Sequence, residues 1–119
     1  MARTTFTATT TAASGTVLAA AAAVDGSNGN DWTNTGRELV EITNSAASSI
    51  TATFITNGTY TVGSTAYAVN DLTVVVAAGT TKVCGPFDRT LFSGTGTTVQ
   101  VDWSTGAGVL ARVITLGSS

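Results

Sequence analysis

The sequence predicts an all-β fold: one antiparallel β-sandwich, Ig-like or jelly-roll-like, over residues 16–119, preceded by an extended N-terminal arm, residues 1–15. Three observations support this. From Arg37 onward, apolar and polar residues alternate in short runs, the period of a half-buried strand. Turn-forming clusters separate the runs at the spacing of a sandwich or small barrel. Threonine is abundant, and β-branched side chains suit extended backbone.

In chain order, residues 2–15 are mostly Thr and Ala with Phe6 as the only large apolar anchor. They read as an extended arm or weak first strand that could dock on a neighbour as an added strand, or as a frayed terminus. The short apolar segment from Val17 to Val24 is assigned to strand, although alanine favours helix. Asp25-Gly26-Ser27-Asn28-Gly29-Asn30-Asp31 is dense in turn residues and reads as a surface loop. Glu38-Leu39-Val40-Glu41-Ile42-Thr43-Asn44 puts Val40 and Ile42 on one face, and Ile50, Ala52 and Phe54 align in the next strand. Asn57-Gly58 is a strong hairpin signal. Short strands follow at residues 60–62 and 67–69, then Leu72, Val74 and Val76 alternate up to Ala78-Gly79. In residues 82–87, Val83, Gly85 and Phe87 share one parity, and Pro86, the sole proline, marks an edge or strand end. The Leu91-Phe92 anchor and the Gly94-Thr95-Gly96 turn precede two long strands, 98–104 and 109–116.

These last two strands are expected to form a hairpin. With Gly106-Ala107-Gly108 as a three-residue loop, Trp103 stands opposite Ala111, Val101 opposite Val113 and Asp102 opposite Arg112; a two-residue Gly106-Ala107 loop would instead set Arg112 beside Val101 on the apolar face, at greater cost. Trp103 is assigned to the core. Leu110, Ile114 and Leu116 then occupy the opposite face, which is either covered by chain or an interface.

Length and charge bound the functional classes. A chain of 119 residues fits one domain and buries roughly 65% of its unfolded surface. Only 10% of residues are charged, against about 25% in an average protein, so hydroxyls take over much of the surface. Such a surface costs little to desolvate and repels its neighbours weakly, which favours assembly. A net charge of −2 and pI near 4.6 argue against nucleic acid as partner. No apolar stretch reaches the ~18 residues of a membrane helix, and the first six residues lack the pattern of a secretory signal.

The chain offers little for catalysis. It has no histidine, so Ser-His-Asp chemistry and histidine metal sites are excluded. Cys84, lying between Val83 and Gly85, has no base to activate it and reads as an inert small hydrophobe. Glu38 and Glu41 differ by three and point to opposite faces, so they make no acid–base pair. The Asp25–Asp31 loop lacks the ligand spacing of a calcium loop, and Asx-turns explain it better. No cofactor is expected. Trp32 is either a hydrophobic plug over one end of the sandwich or an exposed interface anchor.

Several stretches together resemble one family. They are Gly36-Arg37-Glu38-Leu39-Val40-Glu41-Ile42-Thr43-Asn44, Ile50-Thr51-Ala52-Thr53, Asp71-Leu72-Thr73-Val74, Val76-Ala77-Ala78-Gly79-Thr80-Thr81, Gly85-Pro86-Phe87, Val99-Gln100-Val101-Asp102-Trp103-Ser104, and the run from Gly108 to Leu116. In this order, over about residues 36–116, they resemble the head decoration, or cement, proteins of tailed bacteriophages. The chain departs from that pattern at Ala77-Ala78, where a proline usually stands, and in its Thr-rich arm. The resemblance implies a small sandwich on the outer surface of the capsid, made in the host cytoplasm, with the major capsid protein as partner and no catalytic residues. The candidate contact residues are Arg3, Phe6, Trp32, Leu110, Ile114 and Leu116, and a homo-oligomer such as a trimer would cover the last three. Alternative readings are a carbohydrate- or host-binding module of a fibre or adhesin, marked by an exposed Trp32 beside Asn28 and Asn30, or another phage structural protein of the tail or head completion.

Overall fold

A computed structural model describes residues 3–56, 59–68, 70–92 and 97–117. It is a β-sandwich, with no helix among the described residues. The strands are β1 (Thr4–Thr5), β2 (Thr9–Thr10), β3 (Ala22–Ala23), β4 (Asn30–Thr33), β5 (Glu38–Asn44), β6 (Ile50–Phe54), β7 (Thr59–Val62), β8 (Thr65–Ala68), β9 (Leu72–Val76), β10 (Thr81–Cys84), β11 (Thr98–Trp103) and β12 (Val109–Thr115). One sheet has the order β1-β4-β11-β6-β9. The other runs β10-β5-β12-β2, with β3 also on β12, and β7 and β8 form a separate two-stranded ribbon.

The sheets are mixed rather than purely antiparallel, because β1 runs parallel to β4 and β2 parallel to β12. Both parallel pairs come from the N-terminal segment, which spans from an edge of one sheet to an edge of the other. The segment 17–24 is strand only at Ala22–Ala23. Val17 lies almost fully in solvent.

The expected C-terminal hairpin does not form. β11 pairs with β4 and β6 in one sheet, whereas β12 pairs with β5, β2 and β3 in the other. Residues 104–108 therefore arch between the sheets. The inward parity was nevertheless as expected, since Val99, Val101 and Trp103 and also Val109, Ala111 and Val113 are buried. The two triplets line facing sheets across the core instead of sitting side by side. Trp103 finds its small cross-strand neighbour in Ala52, and Arg112 its acidic one in Glu41.

The Asn57-Gly58 and Gly94-Thr95-Gly96 turns and Val69 lie outside the described residues. β6 pairs with β9, and the local hairpin is β7–β8, turning at Gly63-Ser64. β10 ends at Cys84. Beyond it the chain leaves the ladder, so that Val83 faces outward while Phe87 turns into the core, 3% exposed.

The core centres on aromatic rings. Trp32 meets Phe54 at 6.4 Å and Phe87 at 6.0 Å between centroids, and Phe87 meets Phe54 at 4.8 Å and Phe92 at 5.3 Å. Valines and isoleucines of β5, β6, β9, β11 and β12 fill the rest. Three asparagines are buried with them, and each both donates and accepts hydrogen bonds through its side chain. Asn30 accepts from the Trp103 indole and the Asp25 amide, and donates to the Thr4 carbonyl. Asn34 donates to the Phe92 carbonyl and accepts from Gly36 N–H. Asn44 donates to the Ser48 and Val76 carbonyls and accepts from Ala46 N–H, which ties β5 of one sheet to β9 of the other.

Removing a buried hydrogen-bonding group strands its partners away from water at roughly 1–3 kcal/mol each. Asn30→Ala, which orphans the Trp103 indole N–H and the Asp25 amide, is expected to lower unfolding free energy by about 2–4 kcal/mol. Urea denaturation followed by tryptophan fluorescence measures it, and a loss below about 0.5 kcal/mol would show that Asn30 is not a structural joint.

Candidate interaction surfaces

The outer face of the β10-β5-β12 sheet is built by parity. Leu110 pairs with Thr43, Arg112 with Glu41 and Ile114 with Leu39, and Val83 stands opposite Glu41 on the other side. Because Val113 and Ala111 point inward, Leu110, Arg112 and Ile114 must point out. Leu110 is 38% and Val83 58% exposed, and Ile114 and Leu39 are half-buried. Leu116, just beyond β12, is 41% exposed. The ion pair between Arg112 and Glu41, 2.8 Å long, lies among these side chains. The two charges match each other, so the face, which also carries Thr43 and Thr81, is neutral at its centre. Ala23 and Thr9 flank Leu110 and Ile114 along the edge of β12, and the N-terminal segment touches the face at Ala19, whose carbonyl accepts from Arg112.

The other outer face is hydroxyl-rich. Opposite the buried residues of β4, β11, β6 and β9 stand Asp31, Thr33, Thr98, Gln100, Asp102, Thr51, Thr53, Thr73 and Val75. Asp31 accepts a hydrogen bond from Thr5, and Asp102 an ion pair from Arg3.

The N-terminal segment makes the third surface. Arg3 reaches the Asp102 carboxylate at 2.7 Å and the Val101 carbonyl at 3.0 Å. The close approach explains Gly29. Its φ of 78° favours glycine, and a Cβ there would run into the Arg3 guanidinium and stand 2.6 Å from both the Val101 carbonyl and the Asp102 carboxylate. Phe6, half-buried, tilts onto Trp32 at 6.4 Å. Beneath residues 5–10 lies an open cavity of about 410 Å³, bordered by Thr10, Thr33, Thr35, Thr115 and Glu38.

Of the residues singled out in the sequence, Leu110, Ile114 and Leu116 share one side of the molecule. Arg3 and Phe6 lie on the N-terminal segment at the other sheet. Trp32 is not an exposed anchor: it is 1% exposed, since its parity in β4 points it inward between Phe54 and Phe87. Its indole N–H is buried and has no acceptor among the described residues. Cys84 is half-buried, and burial raises its thiol pKa despite the nearby Lys82 cation, which keeps it protonated.

Two carboxylates serve local structure. Asp25 accepts from the Ser27 and Asn28 amides, closing an Asx-turn, and from Thr4 Oγ1. Those bonds, the Asn28 amide foremost, lower its pKa. Glu38 is 2% exposed, on the inward side of β5 as its three-residue offset from Glu41 required. Burial alone would raise its pKa, but donors outweigh it: the Thr35 hydroxyl and amide and the Thr115 hydroxyl hold the carboxyl below its ordinary value. Sequence reading did not find the exposed Val62, Tyr67, Leu72, Val75 and Val83, which lie on the β7–β8 ribbon and on the edge strands β9 and β10. Their parity was legible, but apart from the edge or strand end that Pro86 marked after Val83, which strands lie at the edges was not.

No protein-family model, curated protein or solved structure matches this chain.

Asp25 and Glu38 are both lowered on folding, so the unfolded chain binds protons more readily. Their stabilisation is complete well above the ordinary carboxylate range and is lost as pH falls through it and below. Urea midpoints should therefore hold steady from pH 7 to 5.5 and decline below about pH 4.5. Glu38→Gln should be less stable at pH 7, by about 1–3 kcal/mol, and show a shallower acid decline. An equally steep decline in that variant would remove Glu38 from the account.

Proposed function

We propose that this protein is a structural component of a virus particle, a decoration or cement protein that lies on the outer surface of a tailed-phage capsid and braces it, with no catalytic role. The observation carrying this reading is the character of the two outer faces. One is a lawn of hydroxyls, and the other is apolar around an internally matched Arg112–Glu41 pair. Covering the second face strips water from no unmatched charge. On the first, Asp102 is paired with Arg3 and, among the described residues there, Asp31 alone lacks a cation, so both cost little to cover and the apolar one least. The ordered resemblance over residues 36–116 supports the same assignment. The mechanism is mechanical: each copy contacts adjoining major capsid protein subunits, and weak contacts repeated by symmetry add up through avidity. The face of Leu110, Ile114 and Leu116, with Val83, is the contact surface in this reading. The carbohydrate-binding alternative loses its marker, since Trp32 and Asn30 are both buried.

Purified protein mixed with undecorated capsids should co-sediment with them and raise the temperature at which they rupture. Leu110→Asp, which places an unmatched charge on the apolar face, should weaken capsid binding at least tenfold (about 1.4 kcal/mol) while the isolated protein keeps its fold by circular dichroism. Protein that stays in the supernatant with every capsid offered would end this reading.

A further inference from the structure

The N-terminal segment is bound to the sandwich almost wholly by groups that any second copy of the chain also carries. From Arg3 to Ala23 no residue is buried. The docking is backbone pairing plus short polar contacts: Thr4 N–H to the Gly29 carbonyl, Phe6 N–H to the Asp31 carbonyl, Thr11 N–H to the Thr115 carbonyl, and Arg3 to Asp102. Phe6 and Ala8 are the apolar contacts, and the space behind them is the open 410 Å³ cavity.

The connection behind this segment is slack. Thr10 lies beside Thr115 and Ala22 beside Ala111, on the same edge of β12. Four residues of strand separate those two points, about 13 Å. Residues 11–21 could span about 36 Å when extended, and residues 12–17 are all exposed.

We propose that residues 3–11 form an exchangeable strap, and that the groove along β4 and β12 accepts the same residues from a second copy of this chain. The bonds lost and gained in such an exchange are identical, so the balance is set by concentration and by the length of the connection. A strap on a loose tether returns to its own body with an effective concentration in the millimolar range, so a dilute chain closes on itself. Crowding or a shortened connection favours exchange into closed dimers or rings. This inference concerns self-association alone and stands or falls without any capsid.

Two experiments test it. Deleting residues 13–20 leaves only Ala12 and Ala21 to reverse direction along β12, too short for self-closure. The folded variant is expected to elute at twice or a higher whole multiple of the monomer mass by light scattering, while the full chain at micromolar concentration is monomeric. A folded, monomeric deletion variant would overturn the proposal. The second uses full-length Arg3→Asp and Asp102→Arg chains, refolded together at millimolar concentration. Each alone sets like charges together, and only an exchanged heterodimer restores both ion pairs. Native mass spectrometry should show heterodimer enriched about threefold or more over the statistical share, consistent with exposed pairs worth up to about 1 kcal/mol. The double variant mixed with the unaltered chain, each holding its pair within one copy, should show no such enrichment. A purely statistical mixture, or no dimer, would equally overturn the proposal.

Discussion

The hydrogen bond from the Trp103 indole to the Asn30 side chain, 2.8 Å long, is the joint on which much of this molecule turns. It lets a tryptophan stay in the core with its only polar atom matched. Through the same amide, Asn30 fixes the start of the Asp25 loop and the backbone of the N-terminal segment. Asn34 and Asn44 do comparable work at two further seams. A thin sandwich whose chain passes repeatedly from one sheet to the other has many backbone groups at the crossings with no strand partner. Buried asparagine, carrying donors and an acceptor on a short stem, satisfies them without admitting water.

Charge is used with the same economy. The two ion pairs among the described residues are Arg3–Asp102 and Arg112–Glu41, and the buried Glu38 is held by hydroxyls and amides instead of a cation. Hydroxyl donors keep a carboxylate ionised inside the fold while adding no charge at the surface. This leaves the outer faces sparse in charge, the property on which the proposed attachment to other proteins rests.

Much of this was legible in the sequence because alternation reports which way a side chain points. Val40, Ile42, Ile50, Ala52, Phe54, Val99, Val101 and Trp103 are all inside, as their parity required. Parity says nothing about which strand lies next door. The hairpin expected at residues 98–116 had complementary cross-strand pairs in either arrangement, and Gly106-Ala107-Gly108 serves an arch as well as a tight turn. The same limit hid the edge position of β9, and with it Val75, whereas Pro86 had already marked the edge or end of the strand that carries Val83. Trp32 was ambiguous because Asn30, two residues earlier, suggested a polar surface. Its burial beside that tryptophan rests on Trp103, over seventy residues away, and on Thr4 and Asp25.

The arch between β11 and β12 also bears on the order in which the molecule can be made. β12 lies at the centre of its sheet, with β5 on one side and β2 and β3 on the other. Until residues 109–115 have been synthesised, the strands of that layer nearest the N-terminus have no partner to recognise. Within the two main sheets, no pair joins strands consecutive in the chain. On the ribosome the pairs β1–β4, β6–β9 and β5–β10 can form once residues up to 84 have emerged, but β2 and β3 wait for β12, and the two layers are completed only when β11 and β12 follow. A sparing use of large hydrophobic residues before Val24 shortens the sticky portion of that wait.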